Sequence, residues 1–362
     1  MFWGVIGLKI LEYKPDFGTF SAGFESFSQN EVVETVKLDK NSVYGYNRIH
    51  KQWAPASLNS IATYEPEKHV DLAIFHPEFG EKVSRKGGKN FFFYDFQSCL
   101  SFLENNRPPY TIFKTEVDVI PHVNNAPDYV RDGFGQLSKD RIIYSLQQMG
   151  YKAYLVVLDE ADYGIPIHRS FAFYVGVLED VNFSMPKPLF TATGRGEYSR
   201  YRSVGEAIGD LGGMGDWVEY LTPALNSYQK WLRDDDAGRV TWHHPPNIKD
   251  STKKRISCVK QGSNNETLKP FARSRGYNRA VWGDVCRAMD ESFYLVSSRG
   301  GDSIHPIQNR PFTIREGCRI HGLPDRLSFD LSTSRKDLAR KIHNSAAPAI
   351  GQIFSIALGQ IK

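Results

Sequence analysis

Arg195, Arg200 and Arg202 lie among Tyr198 and Tyr201, and Arg273, Arg275 and Arg279 flank Tyr277. Guanidinium groups suit phosphate oxygens and phenol rings suit base stacking, so this mixture fits contact with a nucleic acid. An ordinary solvated surface has the same composition. His76, Glu78 and Glu116 follow apolar stretches and could line a pocket, although a polar turn after a strand reads the same way. The four cysteines (Cys99, Cys258, Cys286 and Cys318) are scattered, with no CxxC or Cys/His spacing suited to a metal. Reduced thiols inside a cell are the simplest reading. The net charge of +4 is mildly basic and compatible with a polyanionic partner.

The elements that must position these residues alternate in type. Residues 32–38, 70–75, 110–113, 153–158 and 170–177 read as strands, the second closed by His76-Pro77. Residues 91–103 carry a helical period. Ser138 is the predicted cap of a helix over 139–149 that Gly150 stops. Such alternation predicts an α/β domain with a largely parallel, doubly wound sheet. Pro186 and Pro188 mark a break. A loop-rich stretch follows to about 305, and helical patterning returns over 336–361. The expected division is a large domain over 1–183, a small one over 184–330, and a C-terminal helix within 331–362 that returns to the large domain. No apolar run reaches the roughly 20 residues of a membrane span. The apolar start is short and Lys9 interrupts it, so a cytoplasmic protein is expected.

The most specific pattern comes late. Residues 310–325 read R-P-F-T-I-R-E-G-C-R-I-H-G-L-P-D. This resembles R-P-L-T-x-R-E-x-x-R-x-x-G-F-P-D of the DNA cytosine-C5 methyltransferases. Arg310, Thr313, Arg315, Glu316, Arg319, Gly322, Pro324 and Asp325 stand in place. Residues 341–348 (K-I-H-N-S-A-A-P) are similar to the family's Q-x-G-N-A-V-P-P, with Asn344 and Pro348 matching and His343 and Ala346 departing. Residues 161–176 resemble D-Y-G-I-P-Q-x-R-x-R-x-x-x-V-G. Arg169 takes the first arginine position there, whereas Ile167 and Phe171 replace the glutamine and the second arginine. Residues 202–211 resemble a segment common after the catalytic domain. The similarity runs through nearly the whole chain, in order.

The resemblance implies a Rossmann-like, S-adenosylmethionine-dependent methyltransferase fold with a smaller, loop-rich target-recognition domain. Family members flip a cytosine from the duplex and attack ring carbon 6 with a thiolate, after which S-adenosylmethionine supplies the methyl. The cysteine belongs to a P-C-Q loop after a strand of the form V-D-L-L-I-x-G. Residues 70–75 match that strand, but H-P-E-F-G follows, so Glu78 or Phe79 takes the cysteine position, depending on a one-residue shift. A carboxylate is a poor nucleophile there and a phenyl ring is none. The family's E-N-V triplet becomes Thr115-Glu116-Val117; a slip in register keeps Glu116 as a catalytic candidate, beside Arg169. The ribose-binding E-x-D becomes Lys37-Leu38-Asp39, and Ser60 takes the next acidic position. The glycine-rich turn maps either to Phe2, Gly4 and Gly7 or to residues 17–23. Cofactor contacts are therefore expected from Phe2, Gly4, Gly7, Asp39 and Asn344. DNA contacts are expected from Arg273, Arg275, Arg279, Arg315 and Arg319, although Arg315 and Arg319 could equally pair with Glu316 or Asp325.

Nucleophile, glutamate, ribose acid and glutamine are altered together while the recognition frame is kept. This predicts a catalytically inactive relative that binds double-stranded DNA, alone or beside an active methyltransferase subunit. Two alternatives stay open: an active methyltransferase completed by a second subunit, and a different DNA-modifying enzyme on the same fold. S-adenosylmethionine binding is expected to be weak or absent. No membrane and no metal are expected.

Overall fold

The computed structural model describes residues 7–27, 29–50, 56–57, 60–77, 79–83, 89–93, 95–122, 128–178, 183–220, 222–233, 238–250, 253–254, 257, 305–330 and 332–359. The chain divides into two compact units: Met1–Asp159 with Ser170–Lys187 and Pro348–Lys362, and Glu160–Arg169 with Pro188–Ala347. Both differ from the sequence-based boundaries. Residues 160–169 leave the first unit, and the returning tail begins at Pro348 rather than at 331.

The first unit is built on β1 (Lys9–Tyr13), β2 (Glu31–Val36), β3 (Ala56–Ser57), β4 (Leu72–Phe75), β7 (Tyr110–Glu116), β10 (Lys152–Asp159) and β11 (Ser170–Val177), in the spatial order β10-β11-β7-β4-β1-β2-β3. Two short antiparallel pairs accompany this sheet: β5 (Phe79–Val83) with β6 (Lys89–Phe93), and β8 (Val130–Arg131) with β9 (Leu137–Ser138). The five strands from β7 to β3 run parallel; β11 is antiparallel to both its neighbours. Strand β4 is a run of four fully buried apolar residues, as a strand covered on both faces must be.

Helix α1 (Thr19–Phe27) joins β1 to β2, and α3 (Phe96–Asn106) precedes β7. The helices cover opposite faces. Phe96, Cys99, Phe102 and Leu103 of α3 pack with Tyr13, Phe75, Phe113 and Tyr174, joined by Ile142 and Leu146 of α4 (Arg141–Gln148). On the other side Phe20 of α1 stacks on Phe173 at 5.2 Å and meets Phe354 of α9 (Pro348–Gly359) edge-on at 5.5 Å. The two backbones touch there: a Cβ at Gly351 would lie 1.9 Å from the Phe20 carbonyl oxygen. The winding direction therefore reverses between β1 and β4, and the carboxyl ends of those strands are the usual place for a site in such a sheet.

Two sequence expectations change. The helical period over 91–103 covers a strand and a helix, because Phe91, Phe92 and Phe93 pair with β5 and α3 starts only at Phe96. Aromatic residues favour that pleated pairing. The cap of α4 is Asp140 rather than Ser138, which is still extended in β9. Asp140 accepts from the backbone N–H groups of Ile142 and Ile143 at 2.8 and 3.1 Å.

The second unit holds β12 (Phe190–Thr191), β13 (Ser199–Arg200), α5 (Val204–Ile208), β14 (Gly215–Glu219), α6 (Ser227–Leu232), β15 (Arg239–His243), α7 (Ile314–Ile320) and α8 (Arg335–Asn344). The helical tail thus consists of two helices: α8 belongs to this unit and α9 to the first. No helix among the described residues is long and apolar enough to cross a membrane.

Candidate active site

At the switch point the chain carries charge into an apolar strand. Glu12 of β1 is fully buried. Its Oε2 accepts from the Ser21 hydroxyl at 2.6 Å, and its Oε1 lies 3.0 Å from His76 Nε2, the first residue beyond β4. That is the geometry of a ring N–H donating to a carboxylate. The other ring nitrogen of His76, Nδ1, is buried with no partner among the described residues. A second pair lies on the same face of the sheet. Glu25 Oε2 is 2.9 Å from His50 Nδ1, and the His50 ring stacks on Tyr46 at 3.9 Å. Burial, and then the Glu12 charge, push the Tyr46 hydroxyl well above the ordinary phenol range.

The turn between β1 and α1 spans residues 14–18. Gly18 has φ +69° there, and a Cβ would lie 2.4 Å from both His50 Nε2 and the Tyr46 ring. Only glycine meets both demands. Gly18→Ala is expected to destabilise the protein by more than about 1 kcal/mol in urea unfolding; a variant as stable as the parent would show that Tyr46 and His50 yield freely.

β1, this turn and α1 form the first strand–turn–helix of the sheet. It overlaps residues 17–23. Gly7 sits before β1, at the amino end of a strand whose carboxyl end faces the site. Phe2 and Gly4 lie outside the described residues. Asp39 caps α2 (Lys40–Ile49), its carboxylate accepting from Asn41 N at 2.8 Å. Lys37 directly follows β2, with its Nζ 5.8 Å from the Tyr13 ring centroid. S-adenosylmethionine carries a positive sulfonium and ribose hydroxyls that want an acceptor. A lysine at the end of β2 does not fit that group.

The nucleophile position is equally changed. Beyond β4 the chain passes through His76-Pro77 and enters β5 at Phe79; Glu78 lies outside the described residues. Cys99 is buried in α3, where burial pushes its thiol well up, and burial takes the Cys318 thiol up to about 12. Thiols so raised are not thiolates at neutral pH. Cys258 and Cys286 lie outside the described residues. Thr115 is buried and its hydroxyl donates to the Ala172 carbonyl at 3.3 Å, while Glu116 is half-buried at the end of β7. No group of three or more metal-ligating side chains occurs among the described residues.

Two expected DNA contacts prove to be interior. Arg315 and Arg319 are fully buried in α7. Arg319 makes a two-pronged contact with Asp325 at 2.7 and 2.5 Å and reaches both Asp210 carboxylate oxygens at 3.3 Å. Arg315 donates to the carbonyls of Thr241 and Leu327 at 3.0 and 2.8 Å. Arg310 grips Glu316 with bonds of 2.8 and 2.6 Å. Burial alone would raise the Glu316 carboxyl; the Arg310 bonds and charge overcome it and hold the group below its usual range. Glu316 also completes a capping box with Thr313. The best-matched stretch of sequence is thus a buried polar network holding the unit together. Arg273, Arg275 and Arg279 lie outside the described residues.

Arg169 and Asn344 belong to the second unit. Arg169 is buried and its Nη1 donates to the Ser345 carbonyl at 3.1 Å. Its charge, after burial, helps to hold the neighbouring His321 imidazole well below the ordinary range. Asn344 ends α8, half-buried. Sequence reasoning missed the Glu12–His76 and Glu25–His50 pairs. The available signal was a glutamate inside the apolar strand K-I-L-E-Y.

Comparisons with known proteins agree with this architecture. A type II methyltransferase, M.DdeI of Desulfomicrobium norvegicum, is 24% identical over 98% of this chain and 87% of its own. The type II methyltransferase M.NlaX of Neisseria lactamica is 46% identical over 52% of this chain and 58% of its own. A prophage-encoded protein of E. coli, described as a DNA modification methyltransferase, superposes with a TM-score of 0.70 at 14% identity, covering 98% of this chain and 99% of its own. The model of the C-5 cytosine-specific DNA methylase family matches residues 134–358, more than half of the sequence. The chain belongs to the C-5 cytosine-specific DNA methylase family.

Proposed function

We propose that this family member binds double-stranded DNA without methylating it, alone or as the partner of an active methyltransferase subunit. The observation that carries the reading is the passage from β4 through His76-Pro77 into β5, with no cysteine between Val70 and Cys99. The end of β2 supports it. A cation in place of a ribose-binding carboxylate forfeits a charged hydrogen bond, about 1.5–3 kcal/mol, or tenfold and more in affinity. S-adenosylmethionine is therefore expected to bind weakly or not at all in a calorimetric titration, and a low-micromolar dissociation constant would overturn this part.

DNA binding rests on the arginines outside the buried network. Replacing Arg273, Arg275 and Arg279 together with alanine is expected to weaken duplex binding across all sequences. It should also flatten the dependence of log affinity on log salt by up to about 3. Filter binding of parent and triple variant at two salt concentrations tests this, and equal retention by both sinks the assignment. The Glu12–His76 pair favours one second reading, a DNA-modifying enzyme of other chemistry on this fold. In that case His76→Ala would abolish a change in the DNA product that the parent makes.

A further inference from the structure

We propose that the carboxyl ends of β1 and β2 bind a phosphorylated nucleoside, one whose ribose carries a phosphate. Lys14 and Lys37 directly follow these neighbouring parallel strands, whose last residues Tyr13 and Val36 are register partners. Both lysines adopt left-handed backbone conformations, with φ of +53° and +56°. Residues other than glycine rarely take that region, and such conformations persist where the surroundings enforce them, often at functional sites. The turn after β1 is pinned to β2 by a hydrogen bond from Lys14 N–H to the Val36 carbonyl at 2.9 Å.

Both side chains lie near one aromatic ring. Lys14 Nζ and Lys37 Nζ lie 5.9 and 5.8 Å from the centroid of the same Tyr13 ring, and both charges pull the Cys99 thiol downward against its burial. Lys14 is half-buried and ion-paired with Asp95. Lys37 is half-buried and forms no ion pair with any described residue. The two strand ends therefore bring two ammonium groups, that of Lys37 with no ion pair among the described residues, beside the turn that leads into α1. An anion there would neutralise the Lys37 charge.

The position selects the kind of anion. In a doubly wound sheet the end of the second strand faces the ribose of a bound nucleotide. A carboxylate there serves the hydroxyls, and a cation serves a ribose phosphate. The same lysine that disfavours S-adenosylmethionine favours a ligand with the opposite charge on its sugar. A DNA backbone phosphate offers the same chemistry from another source.

The full chain is titrated calorimetrically with adenosine 2′,5′-bisphosphate and adenosine 3′,5′-bisphosphate, with adenosine and inorganic phosphate alongside. At least one bisphosphate is expected to bind at least about tenfold tighter than adenosine or phosphate. Lys37→Glu should lower that affinity at least about tenfold while leaving duplex retention on filters unchanged. Lys37→Gln, which removes the charge without inverting it, should move in the same direction, and a thermal melt shows that both variants are folded. Absence of bisphosphate binding by the parent at about 1 mM overturns the proposal, as does binding by Lys37→Glu and Lys37→Gln as tight as the parent's. Loss of duplex retention with nucleotide binding intact also overturns it and gives the cation to DNA phosphate. Because duplex retention is read separately, failure of the nucleotide site and failure of DNA binding are distinguishable.

Discussion

Incubated with duplex DNA and labelled S-adenosylmethionine, the isolated chain is expected to leave cytosine unmethylated. Addition of a thiolate to ring carbon 6 is what makes carbon 5 reactive, and no side chain at the end of β4 can replace it. Loss of a nucleophile lowers turnover on the order of 10⁶-fold in a well-studied hydrolase, which sets the scale of the expected defect. The described cysteines offer no substitute. Cys99 and Cys318 are both buried, and burial raises both thiols. Placing a cysteine by Glu78→Cys or Phe79→Cys is expected not to restore activity by itself, since Lys37 still opposes the cofactor. Scintillation counting of the DNA reads the result. Incorporation well above a no-protein control would sink the inactive reading and point to Cys258 or Cys286.

Arg319→Ala is expected to destabilise the second unit by about 3 kcal/mol, because it removes the main partner of two buried carboxylates and leaves Asp325 to Tyr220 and the more distant Arg315, and Asp210 to the more distant Arg233. Asp210 is already poorly solvated, its carboxyl raised by burial against the pull of Arg319. Arg319→Lys should recover little, since an ammonium cannot match the two-pronged geometry toward Asp325. Adding Asp325→Ala to Arg319→Ala should cost less than the sum of the two single changes, the mark of groups acting as one network. Urea unfolding of the parent, the three single variants and the double variant measures this. If Arg319→Ala kept the parent's stability and lost only DNA affinity, the residue would be a DNA contact and the buried-network account would fall.

The sequence by itself determined the fold class and the family. The apolar run at β4 and the alternation around it are local properties, legible because a strand buried on both faces must be apolar along its length. The pattern of residues 310–325 was legible because a capping box and a set of paired charges demand fixed residue types at fixed spacings. What those residues do was decided only by tertiary structure. A surface arginine and a buried one look alike in sequence, and Arg319 is interior because Asp210, 109 positions away, and Asp325 meet it there. The same holds for the candidate site. Glu12 and His76 are separated by 64 positions and become partners because β1 and β4 are neighbours in the sheet. Lys14 and Lys37 share one tyrosine ring because β1 and β2 are parallel neighbours whose turns are pinned together. The glycine-rich turn stayed ambiguous between two stretches because strand propensity alone cannot choose a starting residue. Pairing with β2 and β4 fixed β1 at Lys9–Tyr13, with a turn and α1 after it.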